Sequence, residues 1–203
     1  MALSVKAGWE RAFKTKDVPS WLKANAKARP IPREAPVKIK VLATRLNLKH
    51  NRAMAQLRVL AICTHNSARS QILEGWLRHY GLEAASAGTE KTSLKPEAVA
   101  VMREAGLDIS AQYSKTIDEL SDPYSFDLVI TVCDQAAETC ANYPFGGTKI
   151  HVSIKDPSGQ DMAAWHETRD QLERVAKAVA TAAEQNRIPS SEELLAARDS
   201  LRF

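Results

Sequence analysis

Between residues 59 and 80 the chain reads Val59-Leu-Ala-Ile-Cys63-Thr-His-Asn-Ser-Ala-Arg69-Ser70-Gln-Ile-Leu-Glu-Gly-Trp-Leu-Arg-His-Tyr80, and this stretch decides its fold. The apolar run 59–62 predicts a buried strand, and the apolar residues after Ser70 recur at the spacing of an amphipathic helix. The residues from Cys63 to Ser70 are therefore predicted to form a short loop between a strand and a helix. Backbone N–H groups at a helix N-terminus lack partners and the helix dipole is positive there, so such a loop suits an oxyanion.

This loop carries the residue types that oxyanion chemistry requires. Arg69 offers a planar guanidinium that matches two oxygens of a tetrahedral anion, and the positive potential favours the thiolate form of Cys63. Ser70 is placed to donate a hydrogen bond to that sulfur, and Asn66 tolerates a left-handed backbone. A buried core cysteine beside an ordinary turn is the alternative, but a cysteine and an arginine six residues apart in this context favour a nucleophile. The predicted oxyanion-binding residues are Thr64, His65, Asn66, Ser67, Ala68, Arg69 and Ser70.

Strand and helix patterns alternate along the chain, which predicts an α/β fold with a doubly wound, four-stranded parallel sheet. The predicted strands are 58–62, 83–87, 126–132 and 149–153. The predicted helices cover about 69–80, Pro96 to Gly106, a long segment with an apolar stripe from Leu172 to Ala180, and 190–201. Cys63, Cys133 and Asp156 each follow a predicted strand, so they should converge at the carboxyl edge of the sheet.

The loop resembles that of the low-molecular-weight protein tyrosine phosphatase superfamily, and its arsenate reductase branch in particular. The resemblance rests on Cys-x5-Arg-Ser after a strand, continued by Ser-Gln-x-x-Glu-Gly. It extends from about Leu57 to about Ala180, and the further matching segments are Ser86-Ala87-Gly88, Asp127 to Cys133, the pair Cys133 and Cys140, and Asp156-Pro157. It implies a thioredoxin-coupled arsenate reductase, an oxidoreductase that contributes to arsenic detoxification. A phosphatase of phosphotyrosine or small phosphoesters is the alternative.

The resemblance implies catalytic roles for Cys63, Arg69, Cys133, Cys140 and Asp156. Cys63 would attack arsenate bound by the loop and Arg69, while Asp156 protonates the departing oxygen. Cys133 would then attack the Cys63 sulfur and release arsenite, and Cys140 would attack Cys133 to free Cys63. The electron donor would be thioredoxin or a low-molecular-weight thiol such as mycothiol or glutathione, with no bound cofactor.

In some family members a potassium ion braces the loop, and this chain departs from that pattern. Asn66, Glu74 and Ser86 match three of the ligand positions, whereas the fourth is Lys115 or Thr116 and not a carboxylate. A lysine there would replace the cation, so we expect no required metal. The ring of His65 is expected to be only a spacer in the loop.

Simpler interpretations compete for the later residues. Asp-Pro is a common turn pair, so Asp156-Pro157 could be a plain turn, as Asp122-Pro123 is predicted to be at the other end of the sheet. Cys133 and Cys140 are seven residues apart, which does not fit a zinc knuckle. The polar segment between them predicts an exposed, mobile loop, although two inert core cysteines are an alternative.

Charge is divided unevenly along the 203 residues, whose net charge is +4. Residues 1–58 hold 14 Lys and Arg against 3 Asp and Glu, whereas residues 59–203 hold 14 against 21. We expect a catalytic domain over 57–203 and an irregular basic extension over 1–56. The extension could be a flexible tail or an arm that binds a partner or nucleic acid. Alternatively, it could be an upstream piece that precedes a true start at Met54. In the arm interpretation, the protein would be a regulatory or nucleic-acid-binding protein with a redox-sensing domain.

Location and assembly are predicted from what the sequence contains. No stretch approaches the roughly 18 apolar residues of a membrane span. Three cysteines without a secretory signal predict reduced thiols. We therefore expect a cytoplasmic monomer that does not bind a membrane or nucleic acid.

Overall fold

The computed structural model describes residues 57–140 and 144–200, in which strands and helices alternate. The strands are β1 (Arg58–Cys63), β2 (Glu83–Gly88), β3 (Leu128–Thr131) and β4 (Thr148–His151). The helices are α1 (Arg69–His79), α2 (Pro96–Glu104), α3 (Asp134–Cys140), α4 (Met162–Glu184) and α5 (Ser191–Asp199), and a 3-10 turn covers Ile117–Glu119. Helix α3 and the short 3-10 turn are the elements in these ranges that the sequence pattern did not predict.

The four strands form one parallel sheet in the order β2-β1-β3-β4, which confirms the predicted topology. The order reverses direction at β1, so right-handed crossovers place helices on both faces of the sheet. Strands β3 and β4 are shorter than predicted, because pairing beyond them continues only through single hydrogen bonds. Examples are Val132 N–H to the Ile62 carbonyl at 2.9 Å and Ile154 N–H to the Val132 carbonyl at 3.1 Å.

The helices meet the sheet through the apolar faces that the sequence pattern indicates. Strand β1 is central and its residues Val59 to Ile62 are fully buried, as a strand covered on both faces requires. Helix α4 buries the predicted stripe between Leu172 and Ala180 and packs against α1, α2 and α5. Gly81 and Gly106 follow α1 and α2 with φ of +83°, the left-handed conformation that ends many helices.

Some expectations lie outside the described residues. These are the basic extension over 1–56 and the division of the chain at residue 57, which stay predictions. Within the two described ranges, no helix combines the length and the apolar character that a membrane crossing requires.

Candidate active site

The carboxyl ends of β1, β3 and β4 bring the predicted site residues to one edge of the sheet. Cys63 ends β1, Cys133 follows β3, and Asp156 follows β4. An open cavity of about 330 Å³ at this edge is lined by Cys63, by His65 and residues 67–69 of the loop, and by Asp156 and Ser158. Its mouth also includes Thr92, Ser93 and Lys95, from the segment between β2 and α2.

The loop from Cys63 to Arg69 is held in a cradle by the side chain of Asn66. Asn66 has φ of +47°, as predicted, and its Nδ2 donates to Ser70 Oγ at 2.9 Å and to Ser86 Oγ at 2.8 Å. Its Oδ1 accepts from Gln71 Nε2 at 3.0 Å and from the Lys115 N–H at 2.9 Å. Because both the nitrogen and the oxygen of the Asn66 side-chain amide form hydrogen bonds, this one buried side chain fixes the curvature of the whole loop.

The cradle presents its nucleophile and its free backbone groups to the cavity. Ser70 Oγ lies 2.9 Å from Cys63 Sγ. Since Ser70 already accepts a hydrogen bond from Asn66, its own proton is available to the sulfur, and this stabilises a thiolate. Helix α1 begins at Arg69, and Ala68 before it has no polar side chain with which to cap the first N–H groups. Strand β2 passes closely behind, because a Cβ at Gly88 would lie 2.6 Å from the Thr64 carbonyl oxygen.

Arg69 and Asp156 form a pair at the cavity wall. Arg69 Nη2 donates to Asp156 Oδ2 at 2.7 Å, and Arg69 Nη1 donates to the Ile154 carbonyl at 2.9 Å. Burial raises the pKa of Asp156, but hydrogen bonds from Ser158 and the charges of Arg69 and His65 outweigh it, so this pKa lies below its ordinary value. The carboxyl is therefore ionised near neutral pH before an anion enters. The contact with Arg69 places Asp156 at the cradle, which a plain turn would not require.

The expectation of a loop between Cys133 and Cys140 is wrong, whereas the expected exposure of this segment is confirmed for Asp134, Gln135, Glu138 and Thr139. The segment is helix α3, and Cys133 and Cys140 are only 6% and 2% exposed. Cys133, Ala136 and Cys140 are spaced i, i+3 and i+7, so they share the helix face that packs on β1 and β3. Burial, with a further contribution from neighbouring Cys133, raises the pKa of the Cys140 thiol.

Cys133 nevertheless lies against the cradle. Thr64 Oγ1 is 3.3 Å from Cys133 Sγ and bonds Gln135 Oε1 at 3.4 Å. All three cysteines are free thiols. One thiol thus lies in the cradle, a second lies beside it, and the third ends the following helix.

A cluster of charges around the buried carboxylate of Glu74 lies behind the cradle, where the resemblance placed a potassium site. Lys115 Nζ lies 3.8 Å from Glu74 Oε2, Arg78 lies 2.6 Å from Glu74 Oε1, and Ser86 donates to the same carboxylate. Burial lowers the pKa of Lys115, although the charge of Glu74 opposes this. Lys115 occupies the fourth position, because Thr116 caps the 3-10 turn instead. Among the described residues no three His, Cys, Asp or Glu side chains converge as metal ligands.

Several polar residues of the site were not predicted, among them Gln71, Lys95 and His151. Gln71 ties the Asn66 carbonyl to the Tyr113 carbonyl at 3.0 and 2.9 Å, and Lys95 lines the cavity mouth. His151 contacts the start of α3. Only Gln71 had a sequence signal, because it stands within the Ser-Gln pair of the loop motif. The ring of His65 lies 3.5 Å from Glu90, and its expected role as a spacer stays a prediction.

A thiol in an anion cradle, with an arginine at the helix start and a carboxyl opposite, defines a cysteine-dependent enzyme of tetrahedral oxyanions. Residues 58–188 match the low molecular weight phosphotyrosine protein phosphatase family, and the chain belongs to that family.

Relatives and solved structures are consistent with this assignment. A protein of Halalkalibacterium halodurans named arsenate reductase is 39% identical over 130 residues, which is 61% of this chain and 92% of that protein. The crystal structure of an arsenate reductase from Archaeoglobus fulgidus is 28% identical, with a TM-score of 0.54 over 61% of this chain and 98% of that chain. A low molecular weight protein tyrosine phosphatase from T. tengcongensis is 27% identical, with a TM-score of 0.53 over 60% and 95%. The family resemblance and the fold predicted from the sequence are thereby confirmed.

Proposed function

We propose that this protein reduces arsenate to arsenite, with Cys63 as nucleophile and with Cys133 and Cys140 as a disulfide relay. The observation that carries the proposal is the contact of Thr64 with Cys133, because it places a second thiol beside the cradle that contains the first. A phosphatase needs the cradle but has no use for that thiol. Relatives named arsenate reductase at 39 and 40% identity support the same reaction.

The first step is the attack of the Cys63 thiolate on arsenic. The backbone N–H groups of the cradle and the guanidinium of Arg69 bind the oxygens, and Ser70 stabilises the thiolate until it reacts. An anion that engages Arg69 competes with the ion pair between Arg69 and Asp156. Once Asp156 is released and protonated, it donates the proton to the departing oxygen, which leaves as water.

The second and third steps move the oxidation away from the cradle. Cys133 attacks the Cys63 sulfur, the sulfur–arsenic bond breaks with its electron pair passing to arsenic, and arsenite leaves. Cys140 then attacks the Cys133 sulfur, so that Cys63 departs as a thiolate and a Cys133–Cys140 disulfide remains.

The last disulfide requires helix α3 to unwind. Seven helical steps separate the two cysteines, so their Cα atoms lie about 10 Å apart along the axis, whereas a disulfide needs roughly 4.4–6.8 Å. Cys140 is also buried and its raised pKa keeps it a thiol, so it becomes a nucleophile only when α3 opens. Opening delivers the disulfide to the surface, where an external reductant can reach it.

The described mouth of the cavity carries polar side chains, Thr92, Ser93, Lys95 and Ser158, which suit an inorganic oxyanion. Phosphoester hydrolysis at the same cradle is the second candidate, which the family membership favours.

The donor and the setting follow from this chemistry. An intramolecular disulfide suits thioredoxin, and a low-molecular-weight thiol such as mycothiol or glutathione is the alternative. We infer that the protein is a cytoplasmic monomer. We also infer that it requires no metal, because Lys115 supplies the positive charge behind the cradle.

Coupled turnover tests the proposal. NADPH consumption is followed with this protein, thioredoxin and thioredoxin reductase, with and without arsenate. The proposal expects consumption that depends on arsenate and is lost in Cys63→Ser. Hydrolysis of p-nitrophenyl phosphate without any arsenate-dependent consumption, by any of the three thiol donors, would make phosphatase the function instead.

A further inference from the structure

His151, at the end of β4, bonds the first residue of helix α3. His151 Nε2 lies 3.0 Å from Asp134 Oδ1. On the other side of the ring, Nδ1 lies 2.9 Å from Thr131 Oγ1 and 3.1 Å from the Thr131 carbonyl. With Thr131 donating to Nδ1, the Nε2–H donates to Asp134, so both nitrogens are used and the ring orientation is fixed. The proposed relay assigns no role to either residue of the pair.

The N-terminal end of α3 is therefore held from the two strands that flank β3, which are β1 and β4. Thr64, directly after β1, contacts Cys133 and Gln135, and His151 of β4 holds Asp134 between them. Hydrogen bonds from the side chains of Ser153 and His151 lower the pKa of Asp134, so it accepts these bonds as a carboxylate. Cys133 thus lies next to two contacts that hold the start of α3, one made by Thr64 and the other by His151.

The two ends of α3 have opposite tasks if the proposed function holds. Cys133, at the start, must stay within reach of the Cys63 sulfur, whereas Cys140, at the end, must leave its buried position. An unwinding helix without a fixed start would also carry Cys133 away from the cradle.

We propose that the His151–Asp134 pair is an anchor that keeps Cys133 beside the cradle while the rest of α3 unwinds. His151 is then a positioning residue for the second step, in which Cys133 attacks Cys63. The proposal rests on the proposed function for the purpose of that step, and its geometry can be tested without arsenate.

The test measures the rate at which the Cys63–Cys133 disulfide forms in a Cys140→Ser background. One arm starts the reaction with arsenate, in which Cys133 displaces arsenite from Cys63. The other starts it with oxidised glutathione, in which Cys63 displaces one glutathione thiolate and Cys133 then displaces the second from the Cys63 mixed disulfide. Both arms end in the same bond and consume the same two thiols.

Removing the anchor should slow disulfide formation in both arms. His151→Phe removes the contacts with Asp134 and Thr131 and is expected to slow disulfide formation by about two- to five-fold, the effect of losing a partly exposed hydrogen bond. His151→Gln keeps a donor near the position of Nε2 and should restore most of the rate. Asp134→Ala also removes the Ser153 contact, so it should slow the reaction at least as much as His151→Phe. The double variant should be no slower than Asp134→Ala, because the pair is already lost in that variant.

Two controls separate positioning from general damage. His166→Phe removes a comparably exposed His–carboxylate pair, His166 with Glu104 at 2.5 Å, between α4 and α2. It should leave the disulfide rate unchanged. The concentration of inorganic phosphate that protects Cys63 from iodoacetamide should be the same in all variants, because the cradle itself is not altered.

An unchanged or faster disulfide rate in His151→Phe with oxidised glutathione, or an equal loss in His166→Phe, would overturn the anchor. A slower rate with glutathione, together with no reaction of any variant with arsenate, would support the anchor and reject the proposed function.

Discussion

Substitutions at Thr139 test whether helix α3 unwinds. Thr139 is exposed in the last turn of α3, and its hydroxyl donates to the Gln135 carbonyl of the same helix at 2.9 Å. Thr139→Ala and Thr139→Gly both remove that bond. The comparison between the two variants therefore isolates the helical propensity of one exposed position.

The expected size follows from that propensity. Glycine is about 1 kcal/mol less favourable than alanine inside a helix. If Cys140 becomes accessible by local unwinding of α3, the open population should be about five-fold larger in Thr139→Gly than in Thr139→Ala, since 1.4 kcal/mol corresponds to about ten-fold. The wild-type threonine should fall between the two variants.

The assay is the rate at which iodoacetamide alkylates Cys140 in the folded protein, read peptide by peptide. In the relay, the Cys133–Cys140 disulfide should form in the same order of rates. A matched pair, Lys177→Ala and Lys177→Gly, makes the same change at an exposed position of α4. Equal Cys140 rates in the two Thr139 variants, or an equal effect of the Lys177 pair, would refute local unwinding and indicate global unfolding or another motion.

Three further substitutions test separate parts of the site. Asp156→Asn should slow the first step by about 10²- to 10⁴-fold, as loss of a general acid does, while phosphate still protects Cys63; an unchanged single-turnover rate would remove Asp156 from the mechanism. Lys95→Gln should raise the KM for arsenate about three-fold with kcat unchanged, because a charge at the cavity mouth is lost. Lys91→Gln should change neither constant, because Lys91 pairs with Glu119 outside the cavity. Burial lowers the pKa of Lys115 in the folded state, so between that pKa and the ordinary one the unfolded chain binds more protons than the folded chain. The stability of the wild type should therefore increase as the pH rises through this alkaline range, and Lys115→Met should abolish the increase. Parallel stability–pH curves for wild type and Lys115→Met would contradict that assignment.

Much of the fold was predictable because its decisive features are local in the sequence. The buried run before Cys63 and the helical spacing after Ser70 define the first strand, loop and helix, and the structure confirms them. Glycines 81 and 106 end their helices as predicted, with φ of +83° in both cases. Strand lengths were less certain, because only single hydrogen bonds continue the ladder beyond Thr131 and His151.

The segment 134–140 shows where the sequence misleads. Its residues are mostly polar, which suggested a loop, but Cys133, Ala136 and Cys140 repeat at helical spacing. A face of only three small side chains gives a weak signal, and the sheet surface beneath it makes the helix stable. A weakly encoded helix is also one that can unwind at low cost.

Contacts between residues far apart in the chain could not be predicted from local sequence patterns. His151 meets Asp134 across 17 positions, and Lys115 meets Glu74 across 41 positions. Only the fold brings such pairs together. The resemblance pointed to Lys115 through its place in a ligand pattern, but nothing in the sequence pointed to His151.

Trapping the relay at its midpoint tests the central claim most directly. Cys140→Ser is mixed with arsenate without an external reductant, and arsenite release and peptide masses are measured. The relay predicts one arsenite per chain, loss of two thiols, and a peptide disulfide that joins Cys63 to Cys133. Continued turnover, or arsenite release without that disulfide, would contradict a relay through these cysteines.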